Sequence, residues 1–167
     1  MSTNLGPHLP DALVDFFAGN DLPARLGHAC LLVTQGADTF PHPAFVTAGE
    51  LVAGDPDTLR VALYANSSAS RNLRERPALA ICLALEECAY YVKAEAEPFE
   101  LHDPAVEGLA VFTIRPRHVL RDAEEGAEVT SGFRYRDLRG DEAVLAQWRP
   151  IVAALRDSFA PSVGTTP

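Results

Sequence analysis

The chain has 167 residues, 47% of them hydrophobic and 22% charged, a balance that excludes wholesale disorder and suits one globular unit with a sizeable core. The formal charge of −9 argues against a nucleic-acid or anionic-membrane partner, because either would be repelled over most of the surface. No apolar run approaches the roughly 20 residues needed to span a bilayer. The N-terminal residues lack the basic and apolar regions of a signal peptide, so a cytoplasmic location is expected. Cys30, Cys82 and Cys88 form no CxxC pair and lie in apolar stretches, where thiols act as small hydrophobes, so neither disulfides nor a metal is expected.

In chain order, the first expected element is a short amphipathic helix from about Asp11 to Ala18. Pro10 starts it, Gly19-Asn20 ends it, and Leu13, Phe16 and Phe17 form its apolar face. His28 to Gln35 reads as a buried strand, Gly36 to Asp38 as a turn, and Phe40 to Pro43 as a stiff extended link. A strand bent at Gly49 is expected over Ala44 to Ala53, followed by a turn at Gly54 to Asp57 and a strand from Leu59 to Ala65.

Ser67 to Arg76 suits a short helix stopped by Pro77, and Leu79 to Leu85, apolar on both faces, reads as a central or doubly covered strand. The clearest alternation runs from Cys88 to Glu97. There Tyr90, Val92, Ala94 and Ala96 share one face, while Tyr91, Lys93, Glu95 and Glu97 share the other. Gly108 to Ile114 continues past Pro116 to about Leu120 as a further strand, and Val129 to Arg136 adds a weaker one. Val144, Trp148, Ile151 and Leu155 recur at helical spacing, and Pro150 is expected to kink that helix or start a second one. Closely spaced strands joined by tight turns favour an antiparallel barrel of six or seven strands over βαβ units.

One domain is therefore expected over 1–167: an N-terminal helix and lead-in over 1–25, the barrel over 26–136, a C-terminal helix over 137–160 and a frayed tail over 161–167. The segment Leu59 to Leu83 carries the most chemistry. A strand runs into a turn bearing Ser67, Ser68 and Ser70, which opens a helix carrying Arg71. The free amides and positive end of such a helix attract an anion, and Arg71 can add a charge-assisted contact. The plainer reading is an N-capping serine with Arg71, Arg74 and Arg76 on a solvated face.

Strand, polar turn, S-x-x-x-R-N-L-R-x-x-P and apolar strand together resemble the FMN-binding split barrels related to pyridoxamine 5'-phosphate oxidase. With PHPAFVTAGEL before them and AYYVKAEAEP after them the resemblance covers about Leu26 to Pro98, and the later TIRPRHVLRD fits the family's closing strands. It implies a six-stranded split barrel that forms a homodimer, with FMN in the groove between subunits. It also implies that Tyr64, Ala65, Asn66, Ser67, Ser68, Ser70, Arg71 and Asn72 hold the ribityl phosphate, with backbone at Val46 and Thr47 along the flavin edge. An FMN-dependent oxidoreductase follows from it, with the flavin doing the redox chemistry and no catalytic side chain assigned.

The sequence departs from that pattern in one respect. Oxidases of the family often carry an Arg-Lys pair in the turn, where this chain has Ser68-Ala69, and basic residues on the preceding strand, where it has Ala44 and Gly49. The alternative is therefore a non-enzymatic split-barrel dimer that has lost FMN or binds another ligand, such as haem or a deazaflavin. A pyridoxamine-phosphate oxidase proper is disfavoured by the same missing cations. Outside this segment, His42 reads as a loop histidine and His102-Asp103 as half of a metal site with no second half. Tyr90-Tyr91 reads as one core ring and one surface or interface ring, Trp148 as helix packing or a dimer contact. Glu50, a charge in an apolar strand, must face solvent, a partner or a pocket.

Overall fold

The computed structural model describes residues 1–160, so the tail expected to fray lies outside them. In chain order the elements are β1 (Ser2–Gly6), α1 (Asp11–Phe17), α2 (Leu22–Arg25), β2 (His28–Gln35), β3 (Pro41–Val46), β4 (Leu51–Asp55) and β5 (Thr58–Tyr64). There follow α3 (Ser68–Glu75), β6 (Ala78–Leu85), β7 (Cys88–Phe99), a 3₁₀ turn at Pro104–Val106, β8 (Leu109–Asp122), β9 (Phe133–Arg134) and α4 (Asp141–Asp157). Every pairing is antiparallel.

The main path of the sheet runs β3-β2-β6-β7-β8-β5-β4, with β1 on β8 and β9 on β2. The described residues thus build nine strands, seven of them on the main path. The ladder stays open between β3 and β4, although these two are consecutive in the chain. The reason is local. Thr47 to Glu50 folds into a turn, with Glu50 N donating to Thr47 O at 3.0 Å, and this splits the expected 44–53 strand into two.

Most strand expectations hold to within a residue or two. β7 buries Tyr90, Val92, Ala94 and Ala96 and exposes Lys93, Glu95 and Glu97, as the period-two pattern requires. β8 passes through Pro116 without ending. Its outer edge pairs with β5 up to Ile114 and with β1 from Val119 onward, so Pro116 falls in the gap between two neighbours. The register toward β7 also shifts there, between Lys93 and Ala94. A proline that cannot donate is tolerated at such an irregularity.

Two further expectations change and two elements are new. The weak strand over 129–136 shrinks to Phe133–Arg134, paired to Ala29 and His28. β1 was not anticipated: its STNLG sequence has no apolar alternation, and it forms by adding to the edge of β8. α2 is one turn capped by Asp21, too short for any periodicity to show. Pro150 starts no second helix, because α4 is continuous over Asp141–Asp157. Only the carbonyl of residue 146 forfeits its donor there, and Ala146 and Pro150 are both exposed to water.

Two cores result. The larger fills the concave side of the sheet with Leu32, Val46, Leu59, Val61, Ile81, Val92 and Ile114, closed by α1 and α3. The second lies on the opposite face of β4 and β5, where Val52 and Ala62 meet Val144, Trp148, Val152 and Leu155 of α4. Burial of such stripes supplies about 25 cal/mol per Å² of apolar surface. β4 and β5 are therefore covered on both faces. β6 is central, between β2 and β7, but covered on one face: Leu79, Ile81 and Leu83 are buried, while Ala80, Cys82 and Ala84 are half-buried on its outer side.

Arg60 on β5 is a buried cation among these apolar groups. Its guanidinium sits 3.7 Å from the Phe99 ring centre and 4.8 Å from that of Phe159, donating from Nη1 to Thr113 Oγ1 and from Nε to Ser158 Oγ at 3.3 Å. No described helix is long and apolar enough to cross a membrane.

Candidate functional site

The strand-turn-helix segment is built as the sequence reading required, with β5 ending at Tyr64 and α3 beginning at Ser68. Ser67 is the N-cap: its extended backbone places Oγ to accept from Ser70 N at 3.1 Å. Ser67 Oγ also donates to Ser70 Oγ at 3.1 Å, and Ser70 Oγ donates to Tyr64 O at 2.8 Å. Ser70 is fully buried. Two of the three hydroxyls therefore stabilise the turn itself, and the third, on half-buried Ser68, stands at the helix start.

The cations are arranged less obviously. Arg71 donates from Nη1 to Asn66 O at 2.8 Å and from Nη2 to Ser68 Oγ at 3.0 Å. Arg74, one turn further along α3, reaches back to Ala65 O at 3.2 Å. Both residues are exposed. Two guanidiniums thus converge on adjacent carbonyls of the same turn, beside the positive end of the helix. Arg74 is on the solvated face that its sequence position predicts, yet it still reaches the turn. The i, i+3 spacing was the available signal, since such residues share one side of a helix.

Asn72 turns away from this mouth, donating to Thr34 Oγ1 on β2 at 3.0 Å and so pinning α3 to the sheet. Val46 is buried in the larger core. Thr47 lies beyond β3, and its amide and hydroxyl donate to Glu50 Oε2 at 2.9 and 2.8 Å. Tyr64 is 66% exposed. Thr47 and Tyr64 border a common cavity, whereas Val46, Ser70 and Asn72 serve packing.

The positions that lack the family's basic residues have structural occupants. Ala69 is buried against the sheet, and Ala44 is half-buried opposite Leu32. Gly49 lies flat against Trp148: a Cβ there would sit 2.1 Å from ring atoms Cδ1 and Cγ. No side chain fits at 49 while the indole stays in place. Charge at the mouth accordingly comes from Arg71 and Arg74. With the Ser68 hydroxyl and the helix end, these form a donor set that fits one phosphate group.

Glu50 faces a cavity of about 500 Å³ that Tyr64, Tyr135, Trp148 and Glu107 also line. Burial pushes its carboxyl above the usual carboxylate range, against the two hydrogen bonds from Thr47. Cys30 is pushed up to about 12 by burial and the nearby Glu50, and burial also raises Cys82, so both thiols stay protonated. Asp103 caps the 3₁₀ turn by accepting from Ala105 N at 2.8 Å, leaving His102 exposed beside it. His42 is likewise exposed, and its carbonyl accepts from Thr34 Oγ1.

No family model matches the chain. The uncharacterized protein YclD of Bacillus subtilis is 30% identical over 148 residues, which span 89% of this chain and 96% of that protein. Among solved structures, a candidate pyridoxamine 5'-phosphate oxidase of Lactobacillus delbrueckii superposes with a TM-score of 0.55 at 22% identity, covering 70% of this chain and 97% of its own. A HupZ variant of Group A Streptococcus gives a TM-score of 0.52 at 12% identity, covering 68% and 99%. The chain belongs to the same family as YclD of Bacillus subtilis, and its fold is that of the pyridoxamine 5'-phosphate oxidase-like split barrels.

Proposed function

We propose that this protein is a homodimeric FMN-binding split barrel acting as an oxidoreductase. The observation that carries this reading is the convergence of Arg71 and Arg74 on the turn carbonyls at 65 and 66, beside the Ser68 hydroxyl. Two guanidiniums balance a phosphate carrying close to two negative charges, the role the resemblance gives to a cationic pair at 68 and 69. In this reading Ser68, Arg71 and Arg74 hold the phosphate, and Ser67, Ser70 and Asn72 hold the turn in shape. Thr47 and Tyr64 border the space alongside. When bound, the isoalloxazine would supply hydride or electron transfer, and the protein contributes position and electrostatics.

Dimerisation is supported by the outer face of the sheet. One row across it reads Phe45, Leu31, Cys82 and Tyr91, with Phe133 packed edge-on to Phe45 at 5.5 Å. Phe45 is 65% and Phe133 46% exposed. Large apolar groups grouped in this way mark an interaction surface.

The direct test is the absorption spectrum of the purified protein after FMN is added and the excess removed by desalting. Retained flavin bands support the proposal, and a colourless protein overturns it. A second reading, a split-barrel dimer without FMN, is favoured by one observation: the Ser67 and Ser70 hydroxyls are spent on the turn. The same spectrum separates the two.

A further inference from the structure

Glu50 is a charged group for which a phosphate site has no use. Both hydrogen bonds from Thr47 end on one oxygen, Oε2. The other, Oε1, has no donor among the described residues, and no fully buried side-chain oxygen there lacks a partner. Oε1 therefore opens into the cavity that Glu50 lines. No cation lies at ion-pair distance from Glu50 among the described residues. The one arginine in the cavity wall, Arg139, is committed to Asp137 at 2.7 Å and to Gln147 Oε1 at 2.9 Å. A half-buried carboxylate without a counter-charge is costly in a folded chain, which makes a cationic guest favourable there.

The rest of the wall narrows the chemistry of that guest. Tyr64, Tyr135 and Trp148 are aromatic, and Gly49 lets the indole lie directly on the backbone beside Glu50. The volume of about 500 Å³ suits an organic molecule rather than a bare ion. No cluster of three metal-ligating side chains occurs among the described residues. Aromatic rings beside a carboxylate are the surroundings in which alkylammonium groups bind, through attraction to the ring faces.

We propose that the cavity between β5 and α4 is a binding site for a small organic ammonium compound, with its charged head at Glu50 Oε1 and its alkyl groups against Tyr64, Tyr135 and Trp148. The cavity adjoins the space that the proposed function gives to the flavin at Thr47 and Tyr64, so the site is tested on FMN-free protein.

Trp148 is the only tryptophan in the chain, so its fluorescence reports this cavity directly. The probe is choline, set against its uncharged isostere, in which a quaternary carbon replaces the nitrogen. Choline is expected to change the emission saturably, with the isostere binding at least roughly tenfold more weakly. Glu50→Gln, matching the native far-UV circular dichroism, should weaken choline about tenfold or more, and Glu107→Gln at the cavity rim by less than about threefold. The proposal is overturned by no saturable change with choline, by equal binding of the isostere, or by unchanged affinity in a folded Glu50→Gln. If that variant does not fold, the comparison of choline with its isostere on the native protein decides.

Discussion

Replacing Gly49 by alanine is the sharpest steric perturbation the structure offers. The added Cβ would stand 2.1 Å from Trp148 Cδ1 and Cγ and 2.4 Å from Cδ2. Ordinary carbon contacts are about 3.5–4.0 Å, so the indole must retreat by roughly 1.5 Å. Trp148 is only 5% exposed and packs with Val144, Ile151 and Val152 against β4 and β5, so it cannot retreat without opening the second core. Overpacking costs about 1–3 kcal/mol, and losing a buried tryptophan altogether about 3–5 kcal/mol. A loss near 3 kcal/mol follows, lowering Tm by roughly 6–12 °C for a chain of this length.

Denaturant melts followed by far-UV circular dichroism measure the loss in either background, and in Gly49→Ala alone the Trp148 emission should also shift to the red. In a Trp148→Ala background, Gly49→Ala should cost less than about 1 kcal/mol, because the two changes act on one contact. Native stability and emission in Gly49→Ala, or equal costs in the two backgrounds, would refute the packing of α4 on the 47–50 turn.

Other consequences can be measured alongside it. Arg60→Ala removes two ring contacts and two hydrogen bonds of a buried cation, and should cost about 3 kcal/mol in a urea melt. The raised carboxyl of Glu50 means that the folded chain holds its proton more tightly than the unfolded one. Native stability relative to Glu50→Gln should therefore fall as pH rises above the ordinary value of 4.5 and be pH-independent below it, as paired melts between pH 3 and 8 would show. The proposed dimer through the outer sheet face predicts that the native protein sediments as a dimer and Phe45→Glu with Phe133→Glu as a monomer, and a double variant that stays dimeric would move the interface elsewhere.

The parts of the fold legible in the sequence are those fixed by local pattern. β7 was readable because alternation at period two matches its burial, and α3 because a serine cap precedes it and Pro77 follows it. What stayed hidden depends on partners distant in sequence. β1 is a strand only because β8 offers a free edge at 119–122, and the break at Thr47–Glu50 depends on a side chain bending back onto its own turn. The candidate site divides in the same way. Ser67, Ser68 and Arg71 fall where the motif put them, while the contribution of Arg74 emerges only when its guanidinium is seen at Ala65 O. Gly49 reads in sequence as a missing basic residue, and in three dimensions as room for an indole from the far end of the chain.

The central claim is that the mouth of α3 holds a phosphate through Arg71 and Arg74. Comparing the affinities of FMN and riboflavin tests it most directly, because the two differ only in that group. Two charge-assisted contacts at about 1.5–3 kcal/mol each predict FMN binding at least roughly a hundredfold tighter, with the preference lost in Arg71→Ala combined with Arg74→Ala. Equal affinity for the two flavins, or a preference that survives the double substitution, would contradict the account.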